Sequence, residues 1–194
     1  DPIEILDASR TDTLVAPNRY FIPEDWRMLA TMNTLDKTSL YEMSYAFMRR
    51  WAFIPVGIPD LPDPQDVPDD ETSELAALIE SYVDVWTANG TIPHNDAHFE
   101  PIGRIWHTIN QERAIGPAIV EDIYQYVATA PSPADADYVS PIIMYVFPQL
   151  EGLRRTELER LIGQLETIAD GDSGELWSVA RDFFQIDLRS DAGE

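Results

Sequence analysis

The sequence contains no cysteine, and lysine occurs only once among 194 residues, at Lys37. Without cysteine the chain can form neither disulfides nor a thiolate nucleophile nor a cysteine-ligated zinc site. No apolar run reaches the ~20 residues needed to cross a bilayer, and no basic-then-apolar leader opens the chain. We therefore expect a soluble, cytoplasmic protein without a membrane partner.

Basic residues are scarce as a class, with 13 against 35 acidic residues and a net charge of -22. A surface this negative repels phosphate backbones, so nonspecific binding of nucleic acid by this segment is not expected. The acidic residues are spread along the whole chain. This spread favours adaptation to a salt-rich cytoplasm, where charge repulsion is screened, over a local acidic binding patch. We expect a haloarchaeal source.

The amino-terminal part is predicted to form two strands that flank one helix. The apolar runs 26–32 and 51–56 predict buried strands, although Pro55 restricts the second to an edge position or an early end. Between them, Ser39 and Glu42 have the spacing of a capping box that opens a helix. Residues 1–56 therefore predict an α/β segment.

A stretch rich in proline and aspartate, residues 57–72, separates this segment from the rest of the chain and predicts a linker or exposed loop. Residues 73–190 then show helical periodicity throughout. The overall expectation is a mainly α protein in which an α/β remnant precedes an all-helical bundle. Six helices are predicted, over 73–88, 98–112, 117–127, 138–150, 157–169 and 176–188.

Residues 19–57 carry the most informative pattern. Thr31-Met32-Asn33-Thr34 ends the first predicted strand, Asp36-Lys37 follows, and the predicted helix ends at Arg49-Arg50-Trp51 before the second strand. This series resembles AAA+ ATPases of the McrB-like and MoxR-like, dynein-related branch, after their Walker B strand. Those proteins usually have phenylalanine where this chain has Trp51. The resemblance implies the carboxyl-terminal part of an AAA+ α/β domain followed by a helical lid.

The resemblance assigns catalytic roles to three residues. Asn33 corresponds to the sensor-1 asparagine, which orients a water near the γ-phosphate; from the residues alone, an asparagine here could equally cap a turn. Arg50, or less favourably Arg49, corresponds to the arginine finger, which stabilises charge on the γ-phosphate of a neighbouring subunit. Two cations at a helix end also complement the helix dipole, and both roles could hold.

A second, weaker correspondence lies in the segment Glu112-Arg113-Ala114-Ile115-Gly116-Pro117. In related lids a basic residue before a helix carries the sensor-2 region, which implies that Arg113 binds nucleotide. A helix beginning at Gly116-Pro117 would also offer free amides to an anion. An exposed arginine before an ordinary helix start explains the same residues.

Histidine provides no convincing metal site. His94 and His98 are four residues apart, but Pro93 precedes them and no third nitrogen ligand is close in sequence, so no metal is predicted. His107, beside Trp106, is expected at the core or the edge of the bundle.

A P-loop is missing from these residues, because no glycine precedes Lys37 at the required spacing. The Walker B carboxylate pair is missing as well. We therefore expect a fragment that is inactive alone. In the full-length protein the resemblance implies ATP or GTP with Mg²⁺, an amino-terminal P-loop half, a homo-oligomeric ring and an unknown protein or nucleic-acid substrate to be remodelled.

Two other functions fit the residues less closely. One is an acidic helical protein–protein interaction module without a nucleotide role, in which Trp86, Trp106 and Trp177 could serve as interface anchors. The other is a DNA-contacting helical domain, against which the charge argues.

Overall fold

The computed structural model describes residues 4–7, 19–22, 25–31, 45–64, 72–169 and 174–185. The chain divides into two compact units, Asp1–Ile54 and Pro55–Glu194. Helices dominate the described residues, which confirms the prediction of a mainly α protein. Within those residues, no helix combines the length and the apolar character needed to cross a membrane.

The first unit contains two short parallel strands, β1 (Glu4–Asp7) and β2 (Arg19–Ile22), with Glu4 opposite Arg19 in the register. One helical turn, α1 (Tyr45–Met48), lies in the predicted helix that ends at the paired arginines. Residues 39–44 of that predicted helix lie outside the described residues, and Arg49 and Arg50 at its end form a turn.

The strands predicted at 26–32 and 51–56 are not present where the structure describes these residues. Residues 26–31 and 52–64 have no regular structure, and Met32 lies outside the described part. The apolar side chains of 26–31 and 52–56 are exposed, with Leu29 at 96% and Val56 at 92%. An apolar run predicts burial against a neighbour, but a strand also needs a hydrogen-bonded partner. In the described part of the chain neither segment is paired with another strand.

The second unit is a helical bundle. Its helices are α2 (Glu74–Trp86), α3 (Phe99–Glu112), α4 (Pro117–Val127), α5 (Val139–Pro141), α6 (Arg155–Ala169) and α7 (Glu175–Phe184). Each overlaps one of the six predicted helical segments, although α5 covers only three residues of the segment predicted at 138–150. Between α5 and α6 the chain continues as a π-helix, Ile142–Val146, and a 3₁₀-helix, Phe147–Leu150.

Pro148 explains why the fifth predicted helix is not regular. Proline lacks an N–H, so it cannot donate to the carbonyl four residues before it. The preceding Phe147 N–H bonds instead to the carbonyl of Ile142, five residues back, which is the π-helical pattern.

The core of the bundle is closely packed around α3. Trp106 and Tyr124 are completely buried, as is Phe147. Gly103 lets α2 approach α3, because a β-carbon there would lie 2.6 Å from Cγ of Leu75. The start of α2 is fixed by Ser73, whose Oγ accepts the Ala76 N–H at 3.0 Å.

The segment 57–64, predicted as linker, lies against the bundle within the second unit. Leu61 packs on the core, and Asp63 Oδ1 lies 3.3 Å from Nε2 of His107. His107 is therefore at the edge of the bundle, with its side chain 13% exposed.

Candidate functional site

The paired arginines lie directly after α1, in a turn, and both are exposed. Arg50 Nη1 donates to the carbonyl oxygen of Ala46 at 2.7 Å, which satisfies one of the free carbonyls at the end of a helix. Arg50 thus has the common role of a cation at the carboxyl end of a helix, where it donates to an exposed carbonyl. This contact uses one of its five N–H donors, so the guanidinium retains donors for an anion.

The predicted sensor residue, Asn33, lies outside the described residues, as do Thr34 and Lys37. Thr31, at the start of the same motif, is described and exposed.

The α3–α4 turn, taken as residues 110–116 and so including the end of α3, is held by polar contacts from α3 side chains. Asn110 Oδ1 accepts the N–H of Ile115 at 2.8 Å, and the indole Nε1 of Trp106 donates to the Ile115 carbonyl at 3.0 Å. Both backbone groups of one turn residue are thus fixed by side chains of α3. The turn is a preformed backbone structure rather than a loose connection.

Two donors in this turn have no partner. Nε of Arg113 and Nδ2 of Asn110 are both buried, and neither makes a hydrogen bond. Arg113 Nη2 donates to the carbonyl oxygen of Glu151, which fixes the guanidinium without satisfying Nε. Buried donors without partners cost free energy, about 1–3 kcal/mol each, and so are uncommon in folded proteins.

The α4 helix begins shortly after Arg113 in the chain. Gly116 is its N-cap, with φ -82° and ψ 170°, and no side chain caps the helix. Pro117 occupies the first helical position, and a β-carbon on Gly116 would meet nothing within 4 Å. The first turn of α4 therefore presents uncapped amides at the positive end of the helix dipole, next to open space.

Two ion pairs connect arginines of α6 and of the segment before it with carboxylates. Arg160 pairs with Glu112, which connects α6 to the end of α3, and Arg154 pairs with Glu157. The hydrogen bond from Arg154 lowers the pKa of the Glu157 carboxyl. Each of these two arginines offsets the charge of its carboxylate partner.

The three histidines have structural roles. His98 is completely buried; its Nε2 lies 2.9 Å from the Ala130 carbonyl, and its Nδ1 lies 2.6 Å from the Tyr138 hydroxyl. A carbonyl only accepts, so Nε2 carries the proton and Nδ1 accepts from Tyr138. Both ring nitrogens of His98 therefore have a hydrogen-bond partner inside the bundle. His94 is instead partly exposed and lies 3.3 Å from Asp84.

A groove in the second unit is lined in part by Glu151, whose carbonyl oxygen accepts from Arg113. It has a volume of about 450 Å³ and contains one strongly exposed aromatic ring, Phe183, at 49%. Phe183 stacks edge-on against Phe147 and Phe184, with ring centroids 5.8 Å and 5.0 Å away. The lining residues are Pro148, Glu151, Gly152, Leu153, Arg155, Leu158, Phe183 and Phe184.

Comparisons with known proteins identify no relative: no protein-family model, no curated protein and no solved structure matches this chain. The arrangement at the α3–α4 turn must therefore be interpreted from its own chemistry. Sequence reasoning selected Arg113 and Gly116 in this turn but missed Asn110 and Glu151. Asn110 is one turn of α3 away from Trp106, and only the folded turn shows that its side chain reaches the residue 115 amide.

Proposed function

We propose that this chain is the sensor-1, arginine-finger and lid part of a ring-forming, cytoplasmic AAA+ ATPase that remodels a protein or nucleic-acid partner. Its P-loop would come from an amino-terminal half, and ATP or GTP with Mg²⁺ would be the nucleotide. The observation that carries this proposal is the turn 110–116. It combines two buried donors without partners and an uncapped helix start, an arrangement suited to a phosphate group.

The residues divide the chemistry between binding and transition-state stabilisation. Arg113 Nε, Asn110 Nδ2 and the first amides of α4 would donate to phosphate oxygens of bound nucleotide. Asn33 would orient the attacking water. Arg50, or Arg49, would approach the γ-phosphate of the neighbouring protomer and stabilise the charge that develops during transfer. The motif series from Thr31 to Ile54 supports these last assignments.

Complementation is the direct test. This chain would be mixed with the P-loop half encoded upstream, and steady-state hydrolysis of ATP and of GTP would be measured. Arg50→Ala should lower kcat by roughly 10³-fold or more, since a finger acts on the transition state. Arg113→Gln should mainly raise KM, because it removes a ground-state phosphate contact. Arg181→Gln, the same charge change on α7, should leave both constants unaltered.

A substitution at Asn110 tests the phosphate-binding role more specifically. Asn110→Asp keeps the oxygen that accepts the Ile115 N–H but replaces the unpaired donor by a second oxygen. The turn should stay folded while its affinity for phosphate falls. The ATPase assignment would be refuted if the substitutions at Arg50, Arg113 and Asn110 all left hydrolysis unchanged. It would also be refuted if the full-length protein contained no P-loop.

The groove beside Phe183 favours a second candidate function, an acidic helical interaction module without a nucleotide role. Exposed aromatic rings in a groove are typical anchors of protein interfaces. A chain that captures its partner equally well with and without nucleotide, and whose capture depends on Phe183 but not on Arg113, would favour the module.

A further inference from the structure

The turn after α2 contains the only Asn-Gly pair of the sequence, Asn89-Gly90. Asn89, Gly90 and Thr91 are all exposed. Gly90 has a φ of 73°, a left-handed conformation that favours glycine, and a β-carbon there would meet nothing within 4 Å. The peptide that joins Asn89 to Gly90 therefore carries no side chain that would hinder a reaction at the Gly90 nitrogen.

Two hydrogen bonds fix the Asn89 side chain along this peptide. Its Oδ1 accepts the Thr91 N–H at 3.0 Å and the Thr91 hydroxyl at 2.7 Å. Because the side-chain oxygen is held by residue 91, the amide carbon, Cγ, is turned towards the backbone of residue 90. Both donors also draw electron density towards Oδ1, which makes Cγ a better electrophile, as donors do in an oxyanion hole.

We propose that Asn89 is a site of spontaneous deamidation through a cyclic imide. The Gly90 nitrogen attacks Cγ of Asn89, the bond between Cγ and Nδ2 breaks, and ammonia leaves with the Gly90 amide proton. Water then hydrolyses one of the two bonds between the imide nitrogen and its carbonyl carbons, which leaves aspartate or isoaspartate at position 89. The reaction needs only water, so it is independent of the nucleotide chemistry proposed for the α3–α4 turn.

The other described asparagines lack these features. Asn95 is followed by aspartate and Asn110 by glutamine, so a β-carbon hinders ring closure at both. In addition, Nδ2 of Asn95 donates to the carbonyl oxygens of Ala128 and Ala130, at 3.1 Å and 2.8 Å. These bonds hold the amide nitrogen that would have to leave. Deamidation should therefore be selective for Asn89 within the described part of the chain.

The modification would weaken the end of α2. In the unmodified turn the Gly90 N–H donates to the Thr87 carbonyl at 2.8 Å. Forming the imide removes this bond, and its loss slows ring closure by roughly tenfold or less. The new carboxylate then lies just beyond the carboxyl end of α2, where the helix dipole disfavours negative charge.

The test is mass spectrometry of the folded chain and of Asn89→Gln after incubation in mildly alkaline and mildly acidic buffers at constant KCl. The wild-type peptide that contains residue 89 should gain the mass difference between an amide and a carboxylic acid, in two isomers that separate chromatographically. The gain should be faster in alkaline buffer, because attack needs the deprotonated Gly90 nitrogen. Fragmentation should locate it at residue 89 and not at residue 95. Asn89→Gln should stay unmodified, since glutamine would have to close a larger ring.

Two further variants test the geometry and the consequence. Thr91→Val removes the hydroxyl donor but keeps the N–H, so it should slow deamidation severalfold. Asn89→Asp keeps an acceptor oxygen and adds the charge, so its thermal midpoint at low salt should be lower by roughly 1–4 °C. An unmodified Asn89 in the alkaline sample, or equal modification of Asn89 and Asn95, would overturn the proposal. A Thr91→Val variant that reacts as fast as the wild type would overturn the activation by the hydroxyl.

Discussion

Replacing Gly103 by alanine should destabilise the bundle, although alanine is the better helix former. The new β-carbon would lie 2.6 Å from Cγ of Leu75, 3.2 Å from its Cδ2 and 3.3 Å from Cγ1 of Ile79. Both side chains are completely buried, so neither can move without displacing other core residues. Overpacking of this kind costs about 3 kcal/mol at the upper end, and better helix propensity returns about 1 kcal/mol. We expect a net loss of about 2 kcal/mol.

Gly163 provides a matched control within α6. A β-carbon there would meet only Cζ2 of Trp177, at 3.4 Å, which is an ordinary contact distance. Gly163→Ala should therefore stabilise the protein by about 0.5–1 kcal/mol through helix propensity alone. The same chemical change should thus have opposite signs in α3 and α6.

Urea unfolding at constant salt, followed by far-ultraviolet circular dichroism, would measure both changes from the shift in midpoint at an unchanged slope. Adding Leu75→Ala to Gly103→Ala should restore part of the loss, because the two residues compete for one space and their effects are not additive. If Gly103→Ala proves as stable as Gly163→Ala, then glycine at position 103 is not required for the close approach of α2 and α3.

Three further predictions concern capping, salt and pH. Ser73→Ala should lower the free energy of unfolding by about 1 kcal/mol, since the Ala76 N–H loses its cap, whereas Ser81→Ala within the same helix should change it little. Raising KCl from 0.1 M to 2 M should raise the thermal midpoint, because a net charge of -22 repels itself less when the Debye length shrinks to about 3 Å or below; an unchanged midpoint would contradict salt adaptation. Burial raises the pKa of Tyr138 and of Tyr124. Unfolded tyrosine therefore loses its proton from about pH 10 while the folded groups keep theirs, so stability should be full below that pH and fall as pH rises above it. Urea midpoints between pH 8 and 11 should show this slope, and Tyr138→Phe should reduce it.

The helices of the bundle could be predicted because their apolar residues repeat with helical period and their ends carry local signals. Ser73 before α2 and Pro117 at the start of α4 have the roles that their types indicate. These signals act within a few residues, so the sequence alone contains them.

The predictions of strands at 26–32 and 51–56 were wrong because strand formation depends on a partner segment that is distant in the sequence. An apolar run such as 26–31 indicates that burial is favourable, but it does not say which chain segment supplies the hydrogen-bonding edge. Likewise, the site residues Arg113 and Gly116 were accessible from a local pattern, while the contact from Arg113 to Glu151 joins positions 38 residues apart. The buried His98 network, reaching Ala130 and Tyr138, could not be predicted from the sequence for the same reason.

The guanidinium of Arg113 joins the turn after α3 to the turn that follows Leu150. Its Nη2 donates to the carbonyl oxygen of Glu151, while its Nε is buried without a partner. Because the guanidinium is planar and rigid, Nη2 and Nε keep a fixed orientation to one another, so a shift of the Glu151 backbone would also reorient Nε.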